Sequence, residues 1–188
     1  MPPRLHRRFR GSSLAAMLAA MVAALLALAT PAASAAGIAP AYTPMVVEPT
    51  IVDGRSEFDL GPALARAKRE NKRLYVYLGA SDCPYCRRYE NFLRKSADEL
   101  VPHFKPWIVV DLRSSLSTTA NKLFIRAGGR SLDYTAFQHS IGDQRARMLV
   151  YPSVWLFDPE FKPLMQMPAG TGTFETVDEQ LEILNLVQ

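Results

Sequence analysis

Residues 57–188 read as an α/β domain with a central mixed sheet and helices on both of its faces. Three observations carry that reading. Apolar runs at 74–78, 107–112 and 154–157 are each long enough for a buried strand. Stretches with helical spacing separate these runs, so successive strands are joined by crossovers. The last run is followed by Asp158-Pro159-Glu160 and a further short run, 163–167, which together read as an antiparallel hairpin.

The chain opens with Arg4, Arg7, Arg8 and Arg10 and no acid, followed by sixteen uncharged residues from Leu14 to Ala29. Pro31 breaks the run, and Ala33-Ser34-Ala35 or Ser34-Ala35-Ala36 offers the small residues that a signal peptidase accepts. Residues 1–36 therefore read as a cleaved secretory signal. The run is shorter than the roughly 20 residues a spanning helix needs, so no stable membrane span is expected after cleavage. All eighteen acidic residues follow position 37, while four of the twenty-two basic ones lie in the leader, so the mature formal charge is zero. Nothing electrostatic then calls for nucleic acid or an anionic surface as partner. What remains is one domain's worth of chain.

Residues 37–56 contain Pro40, Pro44 and Pro49 and read as an extended N-terminal lead, with 45–47 or 50–52 able to form a short edge strand. From Glu57 to Asn71, Leu60, Ala63, Leu64 and Ala67 recur at helical spacing, with Arg66, Lys68, Arg69 and Glu70 on the other face. The strand at 74–78 follows. Pro84 suits a first helical turn, and that helix runs through Tyr89, Phe92 and Leu93 towards Arg94. Ser96-Ala97-Asp98-Glu99 is a capping-box pattern for a short helix closed off by Pro102. After the second core strand, 117–127 reads as a helix with Leu123 and Phe124 inward and Gly128-Gly129 as its stop, and 132–139 as another. These would pack over one face of the sheet or form a lid. Phe174, Val177, Leu181 and Leu184 mark a closing helix with Thr173 as its N-cap.

Cys83 and Cys86 are the only cysteines. At a helix N-terminus, backbone N–H groups without helical partners and the helix dipole favour thiolate, which makes Cys83 the candidate nucleophile. The i to i+3 spacing brings Cys86 onto the same face, close enough to attack a mixed disulfide at Cys83. Arg87 would add positive potential there and Asp82 would oppose it. So short a loop staples little of the unfolded chain, which argues against a structural disulfide. Zinc asks for three or four ligands, and only His103 and His139 are available beyond the leader, neither at motif spacing, so no metal or cofactor is expected. His139, Trp107 and Trp155 read as packing residues, and Tyr85 as one that could tune the pair or meet substrate.

Cys-Pro-Tyr-Cys directly after a strand, with Tyr151-Pro152-Ser153 directly before another, resembles the thioredoxin-like superfamily over residues 57–188. The resemblance implies a thioredoxin-like fold with an exposed attacking Cys83 and a buried resolving Cys86. It also implies that Pro152 is a cis-proline beside the pair, and that substrate is met by Tyr151, Pro152, Pro84 and Tyr85. The exported context is similar to that of periplasmic thiol–disulfide proteins. The chain departs from thioredoxins proper in having Tyr77 where a buried acid stands six residues before the first cysteine, and Asp82 where a tryptophan is common. The stretch from Cys86 to Pro152 is also longer, which implies extra helices before the cis-proline strand. The expected function is thiol–disulfide exchange on exported protein or peptide thiols and disulfides, recycled by an external redox partner. The alternative is a non-catalytic module that holds an exported partner in the Pro152 groove.

Overall fold

The computed structural model describes residues 37–144, 148–167 and 176–186; the expected signal at 1–36, Thr173 and Phe174 lie outside the described residues. The first described elements are a 3-10 turn, Pro40–Tyr42, and two strands, β1 (Met45–Val47) and β2 (Thr50–Val52). Both segments considered for an edge strand are strands, and they serve different sheets. β3 (Arg55–Asp59) follows, then helix α1 (Gly61–Glu70) and the central strand β4 (Arg73–Ala80). Helix α2 (Pro84–Lys95) carries the cysteines, and a short α3 (Ala97–Leu100) with a 3-10 turn, Val101–Phe104, leads into β5 (Trp107–Ser114). Next come β6 (Leu123–Ala127), β7 (Arg130–Asp133), α4 (Tyr134–Ser140), β8 (Ser153–Phe157), β9 (Pro163–Met167) and α5 (Val177–Leu186).

The strands form a five-stranded sheet, β1-β5-β4-β8-β9, and a four-stranded sheet, β2-β3-β6-β7. In the first, β4 runs parallel to β5 and antiparallel to β8, so the sheet is mixed. β4 is covered on both sides, which is why it reads as a continuous apolar run. Leu74, Val76 and Leu78 point to one face, with α1, α4 and the second sheet's Phe58, Leu123 and Ile125. Tyr75 and Tyr77 point to the other, where Tyr89 and Leu93 of α2, Phe104 and Leu184 of α5 complete the core. Among the described residues no helix is long and apolar enough to cross a membrane.

The expected lead is bound into this core. Ile38, Ala39 and Tyr42 are buried, and the Tyr42 hydroxyl donates to the Leu93 carbonyl at 2.7 Å. The first helix starts later than its periodicity suggests, because Glu57, Phe58 and Asp59 belong to β3 and pair parallel with β6. Its start is set by Gly61 N–H, which donates to Asp59 Oδ1 at 2.8 Å, and by a proline in the first turn. Its end comes at Asn71, which adopts a left-handed conformation with φ +49°. The short helix α3 is present, but the Ser96 side chain makes no capping bond; its carbonyl instead accepts the N–H of Glu99 and Leu100.

The largest difference lies at 117–133. The expected helix at 117–127 is a 3-10 turn, Ala120–Lys122, followed by the first strand of a β-hairpin, and among the described residues the insertion holds one α-helix rather than two. Gly128 and Gly129 have φ of +56° and +78°, the pair of positive values that a two-residue turn between strands demands. They are a hairpin turn, not a helix stop. Leu123 and Ile125 point inward while Arg126 is exposed, a period of two rather than 3.6. Glu57 binds both Arg126 and Ser131, tying β3, β6 and β7 together. α4 begins after Asp133, whose carboxylate accepts the Ala136 N–H at 2.9 Å. α5 is present with its cap at Thr176, where Thr176 and Glu179 exchange side-chain-to-backbone hydrogen bonds in a capping box.

Candidate functional site

Strand β4 ends at Ala80, and a three-residue loop delivers Cys83 as the N-cap of α2, with Pro84 in the first turn. An N-cap side chain is placed to accept a backbone N–H of that turn. Cys83 Sγ does so, taking the Cys86 N–H at 3.1 Å. Both cysteines are free thiols. Cys86 is fully buried, its Sγ accepts the Ala80 N–H at 3.4 Å, and burial together with the neighbouring Cys83 pushes its thiol up to about 12. That suits a group that reacts only after Cys83 has been modified.

The Tyr151–Pro152 bond is cis, and Tyr151 packs against Ala80, Cys83 and Cys86. The Tyr151 hydroxyl donates to Ser114 Oγ at 2.7 Å, and burial pushes that phenol up to about 12. Asp82 Oδ1 accepts the Leu116 N–H at 2.8 Å, so the loop after β5 is fastened to the cysteine loop. Asp82 thus serves as a structural acceptor. Pro84 and Tyr85 are exposed on the outer side of the motif, and so is Arg87.

One expectation needs correction: Cys83 is not exposed. Only 1% of its surface meets solvent, because Tyr151 packs over the pair and the loop after β5 is bound alongside. His103 lies in the 3-10 turn before β5 and His139 in α4, neither in the cluster that holds the cysteines.

Beneath the pair lies a polar group that the sequence reading passed over. The Tyr77 hydroxyl donates to Glu90 Oε1 at 2.8 Å, and Glu90 is 4% exposed. Asp111 is fully buried on β5, where Oδ2 accepts from Ile38 N–H at 3.0 Å and from Arg113 at 3.2 Å. Burial holds the Asp111 carboxyl above its usual range against the pull of Arg113. Tyr77 is pushed up by burial and then by Glu90. Two signals were available: Glu90 follows Cys86 by four, on the same helical face, and Asp111 interrupts an apolar strand run.

The profile of a thioredoxin-like domain family matches residues 60–184. No curated protein matches the chain significantly. Among solved structures, a thioredoxin-fold protein from Helicobacter pylori is similar with 17% identity and a TM-score of 0.38, over 63% of this chain and 70% of that one. An exposed lipoprotein thioredoxin from Streptococcus pneumoniae has 19% identity and a TM-score of 0.36, over 73% of this chain and 96% of its own. Thioredoxin F from spinach chloroplast has 14% identity and a TM-score of 0.38, over the same shares, 73% and 96%.

Proposed function

This chain belongs to the thioredoxin-like domain family, and from that premise we propose that it exchanges thiols and disulfides on exported protein or peptide substrates through Cys83 and Cys86. The observation that carries the reading is the N-cap position of Cys83, with Cys86 buried one turn further along the same helix. In the reductive direction the Cys83 thiolate attacks a substrate disulfide and releases one substrate thiol, leaving Cys83 in a mixed disulfide. Cys86 then attacks Cys83 Sγ, the Cys83–Cys86 bond forms, and the second substrate thiol departs. The dithiol gives up two electrons, and an external redox partner restores it. Tyr85 and Pro84 on the exposed side, and the backbone at Tyr151 and Pro152, would meet the substrate chain.

The experiment is equilibration of the pair against a glutathione redox buffer, followed by thiol trapping. Reversible exchange is expected, lost in Cys83→Ser and arrested as mixed disulfides in Cys86→Ala. Full exchange in Cys83→Ser would sink the proposal. The near-complete burial of Cys83 favours a second reading, a module that binds an exported partner without turnover. It predicts that partner capture survives replacement of both cysteines.

A further inference from the structure

Asp111 is short of a donor. Its Oδ2 takes the Ile38 N–H at 3.0 Å and two Arg113 nitrogens at 3.2 Å, while Oδ1, also buried, has no hydrogen-bond partner among the described residues. A carboxylate withdrawn from water needs its charge answered and its lone pairs filled. A cavity of about 20 Å³ lies between Asp111, Arg113, Glu90 and Gly37, which is room for one water-sized group. Glu90 enters it from α2 and is bonded in turn to the neutral Tyr77 hydroxyl of β4. Two buried carboxyls thus face one guanidinium, and with both ionised the cluster lacks one positive charge.

Gly37 comes closer to this cluster than any other residue type could. A Cβ on it would lie 2.3 Å from Asp111 Oδ2 and 2.8 Å from Arg113 Nη2, and its φ of +105° is one that side-chain-bearing residues rarely adopt. The Gly37 nitrogen is two bonds from that Cβ position, so it lies within about 5 Å of Oδ2. The residues that follow hold it there. Ile38 is bonded to Asp111, the Tyr42 hydroxyl to the Leu93 carbonyl, and Val46 pairs with Asp111 in the register of β1 and β5. In sequence Gly37 directly follows Ser34-Ala35-Ala36, one of the two small-residue triplets that suit a signal peptidase.

We propose that a signal peptidase cuts between Ala36 and Gly37, and that the new α-ammonium of Gly37 enters this cavity and pairs with Asp111. The inference rests on the export reading and not on the exchange chemistry. Hydrolysis of the Ala36–Gly37 peptide consumes one water: its oxygen ends in the Ala36 carboxylate, and the Gly37 nitrogen takes both hydrogens and becomes the ammonium. Gly37 is buried in the folded chain, so the bond is cut before this segment docks and the ion pair forms on folding. A cut after Ala35 would leave Ala36 in front and carry the charge past the cavity. In the unprocessed chain, burial holds the Asp111 carboxyl above its usual range. The ammonium favours the carboxylate instead, so the pH dependence that Asp111 confers on the unprocessed chain should shrink once the amine is free.

The full chain is expressed in a bacterial host and recovered from the exported fraction, and intact mass with N-terminal sequencing reads the cut. A start at Gly37 is expected. A start at Ala36 overturns this inference alone, whereas a retained signal overturns the export reading with it. The pair itself is read by acylating the α-amine with acetic anhydride across a pH series and locating the label by peptide mass spectrometry. In folded wild type the labelling profile should be displaced upward by about one unit from the ordinary α-amino range, making the amine about tenfold slower to react near neutral pH. Asp111→Asn should restore the ordinary profile. Gly37→Val keeps Asp111 but drives the terminus out of the cavity; it should label as fast, and it keeps the test open should Asp111→Asn fold poorly. Unfolding in urea should erase the differences. Labelling of wild type at the rate of both variants overturns the pair, and so does slow labelling with an undisplaced profile, which would report cover without charge. None of these readings involves the thiols, so the exchange reading stands or falls apart from them.

Discussion

The hydroxyl of Tyr151 donates to Ser114 Oγ at 2.7 Å, so the residue before the cis-proline is anchored to the far end of β5 while its ring packs on Cys83. Removing the ring should uncover the sulfur. Tyr151→Ala is expected to raise the rate of iodoacetamide labelling at Cys83 several-fold, read by mass spectrometry, with Cys86 still protected. Tyr151→Phe should keep the cover and lose about 0.5–1.5 kcal/mol through the missing hydrogen bond. Equal labelling in wild type and the alanine variant would mean that something other than Tyr151 shields the thiol.

Gly79 is the second test. Its backbone φ is ordinary, so a larger residue meets no conformational barrier, only the Tyr77 ring at 2.6 Å. Gly79→Ala should cost about 1–3 kcal/mol by forcing the phenol aside, seen as a lower urea midpoint and altered near-ultraviolet dichroism. An unchanged midpoint would show that the ring can move without loss.

Asp111 gives a pH signature. Burial holds its carboxyl above the ordinary value, so the folded protein binds that proton more tightly than the unfolded chain does. The associated stability is complete below the unfolded carboxylate pKa of about 3.9 and is lost as pH rises through the raised folded value. Urea midpoints of wild type should therefore fall relative to Asp111→Asn across that window. Parallel curves would remove Asp111 as the source. Glu57 works in the opposite sense: Ser131 and Arg126 hold it low, so its contribution is present above the unfolded value and fades as pH falls through the folded one.

Thr176 caps α5 through its reciprocal bonds with Glu179. Thr176→Ala should cost about 0.5–2 kcal/mol. Amide hydrogen exchange should quicken first at Val177–Gln180, before the amides of β4 respond. Simultaneous loss everywhere would mean that this helix does not open on its own.

What could be read from the sequence follows the strength of local patterning. The apolar runs of β4, β5 and β8 are unmistakable because these strands are covered on both sides, and Cys83 at the N-cap follows from Pro84 and the preceding strand. Leu123-Phe124-Ile125 is ambiguous by itself, since a short apolar run fits either period; the positive φ of Gly128 and Gly129 decides for the hairpin. The burial of Ile38 and Tyr42 depends on partners far along the chain, Asp111 and Leu93, which no local pattern announces. Glu90 and Asp111 are of the same kind: each looks like an ordinary charge until the sheet and helix bring them to one cavity.

The pairing of β1 with β5 joins Met45 to Val110, and that of β3 with β6 joins Ser56 to Leu123. Both closures enclose the whole of β4 and the cysteine helix. β1 has no partner until β5 has been synthesised, and β3, though it can pair with β2 at once, joins the rest of its sheet only when β6 follows. A chain arrested after α2 would therefore carry both thiols on a helix whose roof and flanking strand do not yet exist. The reactive pair comes into being before the architecture that conceals it, and the interval between the two is when stray oxidation or a chaperone's grip would have its opening.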